Sequence, residues 1–194
     1  MEKPLILAFD TSGPYCAAAL LSGDAVIAHT VEEMKKGQAE RLMFILEELL
    51  QLHRLAYAEL DALAVGTGPG NFTGIRIGVS AARGLALGLG IPAYGVNGFE
   101  QRAILDPSAI VHSITAPRGQ RYVHDASGAT LISGEAFKSK GYSIASEPTP
   151  DAVATSIALA ACARFPNPTL APAPYYIKAP DAAPSKIAAP TILS

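Results

Sequence analysis

Gly66-Thr67-Gly68-Pro69-Gly70-Asn71-Phe72-Thr73-Gly74-Ile75-Arg76-Ile77-Gly78-Val79-Ser80 carries the short apolar run Ala62 to Gly66 into a helical pattern that continues to Leu89. A glycine-rich turn that opens a helix gathers unpaired backbone N–H groups at the positive end of the helix dipole, a geometry that holds anions. Two familiar versions of it are excluded. A dinucleotide-binding unit needs the turn after its first strand and an acidic residue about 20 positions later, and no Asp or Glu lies between Gly70 and Glu100. A Walker A loop needs Gly-Lys-Ser/Thr, which the chain lacks. The alternative is packing, with Gly74, Gly78, Ala81 and Ala82 letting the helix lie close to its neighbours. These residues alone favour packing and leave anion binding open.

Working outward, Leu5 to Asp10, Tyr15 to Leu21 and Ala25 to Val31 read as three strands joined by tight turns. A helical period follows from Glu32 to about His53, then the strand Ala62 to Gly66 and the helix Thr73 to Leu89, which Gly90 and Pro92 end. Pro92 to Val96 reads as a strand and Phe99 to Leu105 as a helix, so the first hundred residues follow a βββαβα order with a further strand. The pattern then restarts, with strands at Ile110 to Thr115, Gln120 to Asp125 and Ala129 to Ile132. A constant offset of 105 places Thr115 on Asp10 and Ser127-Gly128 on Ser22-Gly23, which reads as a structural repeat. Beyond Ile132 the second copy offers one convincing helix, Pro150 to Arg164, with Thr149 as N-cap and Pro150 at its first position. From Pro166 onward proline recurs too often for regular structure, so an extended strap or tail is expected.

Composition narrows the function. Of 194 residues 49% are hydrophobic and 16% charged, enough apolar material for a real core and too little charge for a disordered chain. The net charge of −2 supplies no broad cationic field, so a nucleic-acid partner would need another molecule to bring most of the positive charge. Cys16 and Cys162 form no disulfide framework and suit a reducing cytosol. Asp10 interrupts the first apolar run before a secretory segment could form, and no run of 18 apolar residues follows, so a cytoplasmic chain without a membrane segment is expected.

On the helix from Glu32 to His53, Leu42, Met43, Ile45, Leu46, Leu49, Leu50 and Leu52 fill about half the circumference. Glu40, Arg41, Glu47, Glu48 and Gln51 fill the rest, with Phe44 in their midst. Phe44 is either a surface aromatic covered by a loop or an anchor for another chain, since an aromatic rimmed by charge is common interface anatomy. Arg76, Ser80, Arg83 and Leu87 make a comparable stripe on the helix from Thr73. His29, His53, His112 and His124 show no metal-ligand spacing, although His112 and His124 fall on neighbouring strands. No Ser-His-Asp spacing can be read, so no catalytic residue is assigned and no metal is expected.

Gly68 to Gly78, Ala82-Arg83-Gly84-Leu85-Ala86 and Ile91-Pro92 resemble the signature of the TsaB (YeaZ) family. Asp10-Thr11-Ser12, Ala39 to Leu42 and Pro174 to Asp181 also match family positions, so the resemblance covers most of the chain. It implies an α/β actin-like (ASKHA) fold of two ribonuclease-H-like lobes. Residues 1–98 would form the first lobe, carrying the partner-binding helices, and 99–194 an abbreviated second lobe with a Pro-rich tail. In the catalytic paralogue family, TsaD, Asn-His-x-x-x-His binds a metal after the strand that follows the glycine-loop helix. This chain has Asn97-Gly98-Phe99-Glu100-Gln101-Arg102 there, without either imidazole. Actin-like phosphotransferases handle phosphate and metal near the first hairpin, which makes Asp10, Thr11, Ser12, Gly68, Gly70 and Thr73 the candidates for an anion or nucleotide. Thr115 and Pro117 stand where TsaB relatives carry an acid-bearing turn, so one of two paired acids is missing, and Asp10 reads better as a turn acceptor. Phe44 stands where many relatives have Pro, and Gln38 where many have His.

The resemblance implies a non-catalytic partner subunit in synthesis of tRNA N6-threonylcarbamoyladenosine at adenosine 37, binding and activating a TsaD-type threonylcarbamoyltransferase. Glu40, Arg41, Phe44, Glu47, Glu48, Arg76, Ser80, Arg83 and Leu87 would carry that interface. It also implies contact with a TsaE-type ATPase, a homodimer when alone, tRNA only through the complex, and no cofactor of its own beyond ATP or ADP at the complex interface. The rival is a stand-alone actin-like ATP-dependent kinase or hydrolase using Asp10 and the glycine loop. A peptidase, suggested only by an old family name, finds no nucleophile or metal set.

Overall fold

A computed structural model describes residues 3–142, 146–167 and 170–177. Strands β1 (Leu5–Asp10), β2 (Tyr15–Ser22) and β3 (Ala25–Glu33) form an antiparallel meander. Parallel strands β4 (Ala62–Gly66) and β5 (Ala93–Val96) extend it to a five-stranded sheet of order β3-β2-β1-β4-β5. Helices α1 (Gln38–Leu52), α2 (Phe72–Leu89) and α3 (Gly98–Leu105) lie between and after these strands. A second meander, β6 (His112–Thr115), β7 (Gln120–Asp125) and β8 (Gly128–Ser133), forms a separate three-stranded sheet. The short helix α4 (Gly134–Ser139) packs on that sheet, and α5 (Pro150–Arg164) ends the regular structure among the described residues.

The apolar runs of β1 and β4 are near-continuous because both faces of the first sheet are covered. Leu7, Phe9, Leu63 and Val65 pack with Leu42, Ile45, Leu46 and Leu49 of α1 and with Ile75 and Val79 of α2. The intervening residues Ile6, Ala8, Ala62 and Ala64 pack against Val153, Ile157, Ala158 and Ala161 of α5. Alanines on both partners allow a close approach there, and Ile157, fully buried, contributes about 1.5–3 kcal/mol by leaving water. In the sequence the Pro150 helix follows the second copy of the repeat, yet its contacts run back across residue 98 to cover the first sheet.

Three other expectations change. The first long helix begins at Gln38 rather than Glu32, because β3 continues to Glu33, which pairs with Tyr15, and Gly37 turns the chain at φ 100°. Met43 and Leu52, placed on its apolar half, are exposed, Leu52 by 80%. The repeat holds in topology but not in register. Asp10 faces Ala17 while Thr115 faces Arg121, a slip of one residue, and the turn Ser22 to Ala25 corresponds to Asp125 to Gly128, an offset of 103. Among the described residues no helix is long and apolar enough to cross a membrane.

Candidate functional site

The glycine loop meets the β1–β2 turn through short backbone approaches. Thr11 Oγ1 donates to the Gly74 carbonyl at 2.7 Å, and the Asn71 N–H donates to the Ser12 carbonyl at 2.7 Å. Asn71 Oδ1 caps α2 by accepting the Gly74 N–H at 2.8 Å. A Cβ at Gly74 would collide with the Thr11 carbonyl, so that glycine is required by contact. The structure thus brings Thr11, Ser12 and Gly70 together, and Gly68 joins them to α3 by accepting the Gly98 N–H at 2.8 Å. Thr73 stands exposed on the first turn of α2.

Asp10 closes β1 and is 1% exposed. Its Oδ1 accepts the Ser12 N–H at 3.1 Å, and Oδ2 accepts the hydroxyls of Ser12 at 2.8 Å and Tyr15 at 2.9 Å. Gly66 leaves the space that this carboxyl fills. Burial pushes the Asp10 carboxyl above its ordinary range, opposed by the Ser12 and Tyr15 hydrogen bonds, and the Tyr15 hydroxyl is pushed up by burial and by the Asp10 charge. Both oxygens are therefore engaged within the turn, where Asp10 acts as a local acceptor.

Beside this turn a cleft of about 570 Å³ opens between the two meanders, lined among others by Ser12, Tyr15, Pro69, Arg102, Thr115 and Glu147. At the two positions where the catalytic paralogues carry imidazoles, Gly98 lies against Ile114 and Arg102 Nη2 reaches Glu147 Oε2 at 2.5 Å. Glu147 Oε1 also accepts the Thr115 N–H at 3.1 Å, the Thr115 hydroxyl at 2.5 Å and Arg121 Nη2 at 3.3 Å. Burial pulls the Arg102 guanidinium below its ordinary pKa, partly offset by Glu147. Sequence reasoning missed Glu147, Arg102 and Arg121 as a group, since nothing local links residues so far apart. His112 and His124 do pair across β6 and β7, with the Phe99 ring tilted at 33° to His124, centroids 5.2 Å apart. No group of three or more His, Cys, Asp or Glu that could hold a metal occurs among the described residues.

The other candidates lie on α1 and α2. Phe44 is 58% exposed and Leu87 is 86% exposed, and Glu40, Glu47 and Glu48 on α1 and Ser80 and Arg83 on α2 are exposed as well. Arg41 is held by Glu32 through Nη2 at 2.6 Å and by Glu48 at 3.4 Å. The Arg76 guanidinium lies 3.9 Å from the Phe72 ring centroid and Nε donates to the Tyr176 hydroxyl at 3.1 Å, while Tyr176 stacks on Phe72. Arg76 therefore fastens the segment 170–177 to α2, a role its helical position did not suggest. Gly84 and Gly88 lie on the same exposed face of α2, where an added Cβ would meet nothing.

The family model described as "TsaD: tRNA N6-adenosine threonylcarbamoyltransferase" matches residues 26–170. The tRNA threonylcarbamoyladenosine biosynthesis protein TsaB of Escherichia coli K12 is 39% identical over 92 residues, covering 47% of this chain and 39% of that protein. The protein of the same name from Bacillus subtilis 168 is 41% identical over 98 residues, covering 50% of this chain and 43% of that protein. The chain thus spans about two fifths of the length of these curated relatives. YeaZ from Pseudomonas aeruginosa superposes with a TM-score of 0.61 at 25% identity, over 84% of this chain and 93% of that one. A second Pseudomonas aeruginosa structure, an uncharacterized protein with similarity to peptidase YEAZ, gives a TM-score of 0.70 at 22% identity over 90% and 100% of the two chains, a likeness of fold. The two meander-led sheets accord with the actin-like α/β fold of this family. The chain belongs to the family that this model describes and, within it, groups with the proteins named TsaB and YeaZ.

Proposed function

We propose that this chain works in the biosynthesis of threonylcarbamoyladenosine in tRNA as a non-catalytic partner subunit. It engages and activates a TsaD-type threonylcarbamoyltransferase through the outer face of α1 and α2. The observation that carries this reading is that large apolar side chains stand exposed on both helices: Phe44 on α1, where Glu40, Arg41, Glu47 and Glu48 are its neighbours at helical spacing, and Leu87 on α2 in line with Ser80 and Arg83. Gly98 and Arg102 support the absence of catalysis, because one is packed on Ile114 and the other is engaged with Glu147, and neither can ligate a divalent ion as a neutral imidazole does. The net charge of −2 suits a subunit that leaves tRNA to its partners. The same face serves a second copy of the chain when the partner is absent. A TsaE-type ATPase and a nucleotide at the shared interface complete the complex.

Mixing the chain with its catalytic paralogue tests the reading. Phe44→Asp and Arg83→Glu, each on exposed sites, are expected to weaken the complex by about thirtyfold or more while the Tm of the isolated chain stays unchanged. Recovery of no complex with the unsubstituted chain, or an affinity of both variants equal to that of the unsubstituted chain, overturns it. Restoration of threonylcarbamoyladenosine in a strain lacking TsaB tests the biological role.

A further inference from the structure

His112 and His124 stand directly opposite each other on β6 and β7, and residues so paired carry Cβ atoms about 4.5–5.5 Å apart on one face of a sheet. That face is turned toward α3. The Phe99 ring lies against His124, and both imidazoles line a cavity of about 470 Å³ together with Phe99, Glu100 and Tyr175. This cavity shares no lining residue with the cleft beside the β1–β2 turn. The acids in its wall already hold other donors. Glu100 Oε1 accepts from Arg164 Nη2 at 2.7 Å and Oε2 accepts the Asn97 N–H at 2.8 Å, while Asp125 accepts the Ser127 N–H at 2.8 Å and the Tyr142 hydroxyl at 2.7 Å. Among the described residues neither imidazole has a hydrogen-bond partner.

Each neutral imidazole keeps one nitrogen with a free lone pair, and imidazole suits zinc, nickel and copper ions, whereas magnesium and calcium take oxygen. Two nitrogens bound to one zinc ion at about 2.0–2.1 Å lie about 3.3 Å from each other, a separation that rings rooted on opposed strand positions reach by side-chain rotation. His29, opposite Ala19, and His53, at the end of α1, are not so paired. The Asp106 carboxylate is close enough for its charge to act on His112, and such an acid steadies a ligating imidazole through its second nitrogen. We propose that His112 and His124 form a binding site for a late first-row divalent ion, Zn²⁺, Ni²⁺ or Cu²⁺, with water completing the coordination. Bound there, the ion ties β6 to β7 and stabilises the folded chain, because the unfolded chain does not hold the two rings together. The site is separate from the positions where catalytic paralogues carry imidazoles, since Gly98 and Arg102 line the other cleft.

Zn²⁺ and Ni²⁺ are titrated separately into the metal-free 194-residue chain at neutral pH, followed by calorimetry and by nitrogen NMR of the histidine side chains. One equivalent is expected to bind, moving the ring-nitrogen signals of His112 and His124 and leaving those of His29 and His53 in place. His112→Gln and His124→Gln are each expected to weaken binding by about tenfold or more, because the second ring acts at the effective concentration of a tethered ligand. Mg²⁺ at equal concentration is expected not to compete. The proposal is overturned if the unsubstituted chain takes up neither ion, or if uptake survives both substitutions unweakened. Displacement by Mg²⁺ overturns it as well, since that marks a carboxylate site. Should a variant fail to fold, the unsubstituted chain decides: the His112 and His124 signals must move together and saturate at one equivalent, and movement of one alone overturns the pairing.

Discussion

The turns after β1 and β6 occupy equivalent places in their two sheets, and each presents a carboxylate beside the same cleft by a different route. At the first, the acid is the strand's own last residue, Asp10, sealed by Ser12 and Tyr15, two and five residues away. At the second, the equivalent residue is Thr115, and the acid arrives from Glu147, 32 residues further on. The surroundings differ to match. The first sheet is covered by α1 and α2 on one face and α5 on the other, so its acid is desolvated. Among the described residues the second sheet has three strands and lighter helical cover, and its acid stays about half in solvent between guanidiniums. A carboxylate at a given point of a fold is thus a property of the tertiary site and need not be supplied by the residue that topology places there.

The comparison breaks most severely at Gly74. Gly74→Ala drives a Cβ into the Thr11 carbonyl, and the resulting shift of α2 against the first turn is expected to cost about 3 kcal/mol, a fall of roughly 6–12 °C in Tm by calorimetry. Next comes the sealed acid itself. Asp10→Ala leaves the donors on Ser12 and Tyr15 without an acceptor and is expected to cost about 2 kcal/mol in chemical denaturation. Asp10→Asn is expected to stay within about 1 kcal/mol, since it keeps one acceptor and removes a desolvated charge.

Glu147→Ala should cost about 2 kcal/mol by the same measurement, because the carboxylate is 45% exposed but the guanidiniums it leaves without a counter-charge are 15% and 13% exposed. The finest contrast is in pH. Burial raises the Asp10 pKa above 3.8, so its contribution to stability is fully present below 3.8 and is lost as pH rises through its folded value. For Glu147, burial pushes upward, but the Thr115 hydroxyl and Arg102 outweigh it and hold the carboxyl below 4.5. Its contribution is present above 4.5 and lost as pH falls through its folded value. Carboxyl carbon NMR titration should therefore find the two acids displaced in opposite directions, and displacement in the same direction would erase the distinction between the turns.

Much of the first sheet was legible beforehand. Apolar runs bounded by Ser-Gly and Gly-Pro punctuation give strand ends within two residues at β1, β2 and β3, and Gly68 to Asn71 marks the entry to α2. The exposed position of Phe44 also follows from helical geometry alone. Less legible was the start of α1, where Glu32 and Glu33 look helical by type but continue an edge strand whose outer face meets water. The slipped register of the second meander was hidden for a related reason, since hydrogen-bond pairing across a hairpin is set in three dimensions and the turn residues alone suggested a constant offset.

By itself, the sequence determined the order of elements, the glycine loop that lets α2 approach the first turn, the missing imidazoles at Gly98 and Arg102, and the family signature. Those are local matters, written in neighbouring residues through periodicity, turn chemistry and side-chain size. Only the tertiary structure decided that α5 covers the first sheet, that Arg76 fastens the segment bearing Tyr176, and that Glu147 completes the second turn. Each of these joins groups distant in the chain, and which distant groups meet depends on how the whole core packs and where unpaired charge must be neutralised.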